Sequence, residues 1–141
     1  MQGQINPVVF RKDIHSVSRG ATVKEAVGRM VDAQVGSVLV MDGKHPIGIF
    51  TERDVVRRVV HAGLDPATTT VDQVMTAEVK TITPETPIEE ALSLMNEGRF
   101  RHLPVMRDGL LLGMATVGDL STEVTRNNEH LIGYITGTSY R

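Results

Sequence analysis

Gly48 to Asp54 reads GIFTERD and Gly113 to Asp119 reads GMATVGD, so a Gly-hydrophobic-x-Thr-x-x-Asp pattern recurs with an offset of 65 residues (119 − 54 = 65). The offset holds without a gap over most of the chain. Glu25 matches Glu90, Ala26 matches Ala91, Met30 matches Met95, Val40 and Met41 match Val105 and Met106, and Val59 matches Val124. Similar residues fill the intervals, with Val17 opposite Ile82, Val23 opposite Ile88 and Val38 opposite Leu103. A fixed period of this kind marks an internal duplication. The chain is therefore expected to consist of two copies of one supersecondary unit.

One copy is legible element by element. From Thr22 to Val31 the residues Val23, Ala26, Val27, Met30 and Val31 fall at helical spacing, with Thr22 as N-cap and Lys24 and Arg29 outward. Ser37 to Met41 is short, β-branched and closed by Asp42 and Gly43, which predicts a buried strand whose hairpin partner is Ile47 to Phe50. Thr51 starts a second helix through about Val60, and a further strand is expected at Ile14 to Val17. The second copy repeats the order: strand Val79 to Ile82, helix Pro87 to Asn96, strands His102 to Met106 and Leu110 to Ala115, then a helix from Thr116. The fold class is α/β (α+β), as two βαββα units.

Between the copies, Ala62 to Met75 combines a Pro- and Thr-rich loop with Val71, Val74 and Met75, a short helix expected to pack back on the core. Its counterpart in register is Asn6 to Phe10 (75 − 65 = 10). The expected divisions are 5–63, 70–126 and a helical tail at 127–141, in which Leu131, Ile132, Tyr134 and Ile135 form an apolar stripe.

Composition excludes several classes. At 141 residues and 40% hydrophobic, the chain is long enough for one compact domain or two half-domains, and nothing in it points to disorder. No apolar run approaches the ~20 residues that span a bilayer, and MQGQINP lacks the features of a signal peptide, so a cytoplasmic location is expected. The absence of cysteine excludes disulfides, zinc thiolates and a cysteine nucleophile. A formal net charge of −2 gives no broad field for a nucleic-acid backbone; Arg53, Arg57 and Arg58 are the one basic cluster and fit a solvated helix face. The five histidines show no metal-ligand spacing, the seven methionines fit core filling, and no nucleophile, base and acid converge, so no enzyme is expected.

The repeated Thr-x-x-Asp has two readings. As a capping box, Thr accepts an N–H of the first helical turn and the acid returns the bond. As a binding site, the helix start offers N–H groups to anionic oxygens, and an outward carboxylate accepts both hydroxyls of an unmodified ribose diol. The preceding glycine would let a ligand approach the backbone.

The duplicated unit, the HLPVM strand from His102 to Met106 and both Gly-hydrophobic-x-Thr-x-x-Asp segments resemble the paired CBS (cystathionine β-synthase) domains, or Bateman module, over about Ile5 to Thr125. The resemblance implies two βαββα units in pseudo-twofold arrangement, a homodimer, and two clefts for adenosine-containing ligands: AMP, ADP, ATP, NAD(H) or S-adenosylmethionine. It implies no catalytic cofactor, and any magnesium would arrive with ATP. One cleft would combine Thr51, Arg53 and Asp54 with Val79, Lys80, Phe100, Arg101 and His102. The other would combine Met114, Thr116 and Asp119 with Ile14, His15, Val35, Gly36 and Ser37.

Arg53, Lys80, Arg101 and His102 make the first of these clefts the cationic one, so the Thr51/Asp54 site is expected to hold phosphates more tightly. Three functions follow: a sensor whose adenine-nucleotide ligand alters a surface seen by an unidentified client protein, a constitutive dimerisation scaffold, or an NAD(H) redox sensor. S-adenosylmethionine ranks lower because its sulfonium would meet Arg53 and Arg101.

Overall fold

The computed structural model describes residues 7–77, 79–98 and 100–127. The apolar stripe expected in the tail lies outside these residues. The described chain falls into two compact units. One is contiguous, Ile14–Val79, and the other joins residues 7–13 to the stretch from Lys80 onward.

In the contiguous unit, β1 (Ser16–Ser18) pairs in parallel with β2 (Ser37–Asp42), which pairs antiparallel with β3 (His45–Thr51). Helix α1 (Val23–Ala33) crosses between β1 and β2. Its start is the expected N-cap: Thr22 Oγ1 accepts the Glu25 N–H at 3.1 Å, and Glu25 returns a bond to the Thr22 N–H at 2.8 Å. Its end is Gln34 in the left-handed region (φ 57). The inward face of α1, Val23, Ala26 and Met30, meets Val38, Val40, Phe50 and Val59 in one core, and Val71 and Val74 from the inter-repeat segment close it.

The second unit has the same plan. Helix α3 (Ile88–Gly98) packs on the hairpin of β4 (His102–Arg107) and β5 (Leu110–Thr116), followed by α4 (Val117–Asn127). Ile88, Ala91, Met95, Leu103, Val105, Ala115 and Val124 are buried at the register positions of Val23, Ala26, Met30, Val38, Val40, Phe50 and Val59. Both hairpins shift register at the same place, between Val40 and Met41 and between Val105 and Met106. The second hairpin closes through Asp108 (φ 51) and Gly109 (φ 78), the two positive φ angles that a tight two-residue turn requires.

Two expected elements differ. The strand expected at Val79 to Ile82 is reduced to a single parallel bridge between Ile82 and Val105. In the first unit, the Leu39 N–H donates to the His15 carbonyl at 3.0 Å. The equivalent donor would be residue 104, which is a proline without an N–H, so the ladder begins later. The helix expected from Thr51 to Val60 is one α-turn, α2 (Glu52–Asp54), running into a π-helix at Val55–Val60. Its wider turn shows in the His61 N–H bond to the Val56 carbonyl, five residues back, at 2.9 Å. Valine fills four of its six positions, and β-branched residues crowd an ordinary helical turn.

The segment ahead of each repeat packs with the other repeat's unit, residues 7–13 with the second and the stretch up to Val79 with the first. Arg11 forms an antiparallel bridge to Met114, with the Arg11 N–H to the Met114 carbonyl at 2.9 Å and the Met114 N–H to the Arg11 carbonyl at 2.8 Å. Thr76 makes the matching bridge to Ile49, both bonds at 2.9 Å. These bridges explain the motif glycines. A Cβ on Gly48 would stand 2.9 Å from the Thr76 carbonyl oxygen, and one on Gly113 would stand 2.5 Å from Phe10 Cδ2 and overlap the Arg11 carbonyl. The backbone that approaches each glycine is the chain's own, not a ligand's as the sequence reading expected.

Gly113→Ala is expected to cost about 1–3 kcal/mol, the usual range for overpacking, because the Arg11 backbone cannot move aside as a side chain can. Urea unfolding of Gly113→Ala beside Gly48→Ala checks this. The flexible Met75 side chain, the nearest group at Gly48, should make the second change the milder one.

Candidate functional site

The two Thr-x-x-Asp segments occupy equivalent places at the junction of hairpin and helix, yet their carboxylates are held differently. In the contiguous unit, Thr51 has extended backbone (φ −120, ψ 167) and caps α2. Its Oγ1 accepts the Asp54 N–H at 3.2 Å, while Asp54 Oδ2 accepts the Thr51 N–H at 3.0 Å and the Thr51 hydroxyl at 3.2 Å. The Thr76 hydroxyl approaches Asp54 Oδ1 at 3.2 Å, and Arg58 Nε stands 3.6 Å from the same oxygen. Arg58 also donates to the Met75 carbonyl at 2.9 Å.

Asp54 is thus only 4% exposed. The outward carboxylate expected at this position is turned inward, because a complete capping box and the Thr76 hydroxyl supply its hydrogen bonds from within the unit.

In the second unit, Thr116 Oγ1 accepts the Asp119 N–H at 3.1 Å, but the Asp119 carboxylate points to a partner of another kind. Arg11 Nε donates to Oδ2 at 2.8 Å and Nη2 to Oδ1 at 3.1 Å, a forked pair across 108 positions of sequence. The Asp119 side chain remains 28% exposed and that of Arg11 59%. The Arg11 hydrogen bond, with a smaller part from Thr116 and against some desolvation, holds the Asp119 carboxyl below the usual carboxylate range. The same bond raises the Arg11 guanidinium.

Arg11 is the partner of a motif carboxylate that the sequence did not point to. It lies outside both motifs, and the expectation of little cationic charge around Asp119 does not hold. The repeat itself carried the signal, since Arg11 stands at the register of Thr76 (76 − 65 = 11) and both touch their unit's motif carboxylate.

The remaining expected residues divide between the two units. Ser37 pairs with Thr51 across β2 and β3, and the Glu52 N–H donates to the Gly36 carbonyl at 3.0 Å. A Cβ on Gly36 would stand 2.9 Å from Glu52 Oε1, so this glycine admits a neighbouring side chain. Val35 donates to the Met30 carbonyl at the end of α1, and the His15 carbonyl anchors β2. Ile14, His15, Arg53 and Val79 are half-buried in the same unit.

In the second unit, His102 pairs with Thr116 across β4 and β5, and the Val117 N–H donates to the Arg101 carbonyl at 2.9 Å. Phe100 packs against its own unit's core, Met114 carries the Arg11 bridge, and Lys80 and Arg101 are exposed. Burial, and then the positive charges of Arg101 and Arg11, push His102 below its ordinary value. Arg11, Arg101, His102, Thr116 and Asp119 therefore make one polar constellation within a single unit. The pairings implied by resemblance instead join residues of both units, Val79 with Thr51 excepted. Among the described residues no group of three or more His, Asp or Glu could hold a metal ion, and no helix is long and apolar enough to cross a membrane.

Two hairpin-plus-helix units ending in the same capped Thr-x-x-Asp define a tandem repeat module. A profile of the CBS domain matches residues 5–61 and 71–126, and the chain belongs to the CBS-domain family, whose tandem pairs are regulatory, ligand-binding modules. It is 36% identical over 125 residues to the mitochondrial CBS domain-containing protein CBSX3 of Arabidopsis thaliana, covering 82% of this chain and 61% of that protein. An uncharacterised 17.7 kDa protein of Acidianus ambivalens is 34% identical over 110 residues, covering 77% of this chain and 65% of that protein. The chain thus spans less than two thirds of the length of these relatives. A solved structure of a candidate signal-transduction protein with CBS domains from Burkholderia ambifaria superposes with a TM-score of 0.78 at 37% identity, covering 83% of this chain and 86% of that one.

Two titrations follow from the site. The pKa of His102 is lowered on folding, so the unfolded chain binds more protons just below about pH 6.5 and stability should rise with pH through that window. His102→Gln should flatten this slope in urea unfolding across pH. Asp119, lowered on folding, contributes above the ordinary carboxylate pKa and loses its contribution as pH falls through the depressed value. Asp119→Asn should cost about 1 kcal/mol or less at pH 7, with the gap to wild type closing below about pH 3.9.

Proposed function

We propose that this chain is a cytoplasmic regulatory module that binds an adenosine-containing ligand (AMP, ADP or ATP, or NAD(H)) and thereby alters a surface read by a client protein. The observation that carries this reading is the Asp119 carboxylate, ionised and partly exposed beside the Thr116 cap at the start of α4. A ribose diol can donate both hydroxyls to such a carboxylate, and a 2′-phosphate would be repelled by it. Arg101, His102 and Lys80, from the same unit, offer donors for phosphate oxygens.

Thr51 and Asp54, with Arg53, would form the weaker site, because Asp54 Oδ2 is already engaged in the capping box and Oδ1 by the Thr76 hydroxyl. This reverses the order of affinity expected from counting cations in the sequence. Ligand binding regulates a client only so far as the ligand prefers one arrangement of the module over another. The homodimer implied by the family draws support from Val56 and Val60, one helical turn apart and 62% and 68% exposed.

A scaffold without a ligand is the second reading, favoured by the completeness of the Thr51/Asp54 box, which accounts for that motif with no ligand at all. Mass spectrometry of small molecules released from the purified protein, followed by a thermal-shift panel, separates the two. AMP or ATP at about 100 times its Kd should add about 2.7 kcal/mol, a Tm rise of roughly 5–10 °C for a chain of this size. Asp119→Ala should lose most of the rise and Asp54→Asn less of it. A flat panel supports the scaffold, and a larger rise with NADH than with AMP supports redox sensing.

A further inference from the structure

We infer that Arg11 determines the ligand specificity of the Asp119 site by exchanging partners, releasing the carboxylate to a ribose diol and turning to the ligand's anionic group. The inference rests on the proposed adenosine-ligand reading and adds to it a selection for phosphorylated over neutral adenosine compounds. The Arg11 fork engages both Asp119 oxygens through Nε and Nη2, so a diol that approaches the carboxylate from the same edge competes with it. The guanidinium is more than half exposed, and exposed ion pairs are weak enough to exchange. Its backbone is pinned by two hydrogen bonds to Met114, so only the side chain has to swing.

The surroundings set the selection. Burial and then the positive charges of Arg101 and Arg11 disfavour the charged imidazole of His102, and Asp13 is a further acid acting on Arg11. A neutral nucleoside that takes Asp119 strands the guanidinium beside like charge, whereas a phosphate supplies the anion the guanidinium has lost. In the first repeat neutral Thr76 stands in the place of Arg11, and the cation beside Asp54 is Arg58, 3.6 Å away and bonded also to the Met75 carbonyl.

The test is an NMR titration of full-length protein with AMP and with adenosine. Affinity at this site is read from the Asp119 backbone amide, with the Asp54 amide reporting the other repeat. Wild type should prefer AMP. Arg11→Thr, which installs the first repeat's residue, should shrink the ratio of adenosine Kd to AMP Kd by up to about fivefold, the scale of one exposed ion pair.

Arg11→Lys should keep most of the preference through its charge, and Arg11→Gln serves as the uncharged variant if the threonine change impairs folding. An unchanged ratio in the uncharged variants, with AMP still bound, overturns the role of Arg11 alone. Absence of binding by both ligands to wild type at millimolar concentration overturns the nucleotide reading and this inference with it.

Discussion

Each unit depends on a length of backbone lying where a side chain would otherwise stand. Thr76 bridges Ile49 beside Gly48, and Arg11 bridges Met114 beside Gly113. Each bridge fixes the strand that delivers the motif threonine and brings residue 76 or 11 up to the motif carboxylate. The glycine, the bridge and the polar site form one arrangement, built twice. The glycine is required because any Cβ would meet the bridging segment at less than ordinary contact distance.

The duplicated arrangement diverges where its chemistry is most exposed. In the contiguous unit, a hydroxyl from the bridging segment joins a closed box, and Asp54 is drawn inside. In the other, a guanidinium takes that place, and Asp119 stays within reach of solvent. Burial of the carboxylate is tolerated in the first case because donors converge on it from Thr51 at the end of β3, from Thr76 and from Arg58. The second is held by a more exposed contact. One backbone plan thus supplies a buried corner and a solvent-facing one.

Much of this was legible in the amino-acid sequence, for identifiable reasons. The cores follow the 65-residue register because buried positions obey helix and strand periods that substitution within the apolar set does not disturb. The Thr22 and Glu25 cap is likewise local, set by residues three apart. What escaped was non-local or conditional. Pro104 shortens the parallel ladder only because a particular donor was needed at that register. The valines of 55–60 leave the helix in place but widen its turns. Arg11 gains its meaning from a partner 108 positions away, and no short window contains both.

The exchange of leading segments also orders events during synthesis. Domains generally fold as units from the N-terminus while the chain is still being extended. Ile14–Val79 is contiguous, so all of its parts have emerged before the second hairpin is made. Residues 7–13 emerge earlier still, yet their docking site on β5 does not exist until Met114 has been translated. Residues 7–13 therefore cannot take their place until the second hairpin has been made. Until then Val8 and Phe10 have no core of their own unit to pack against.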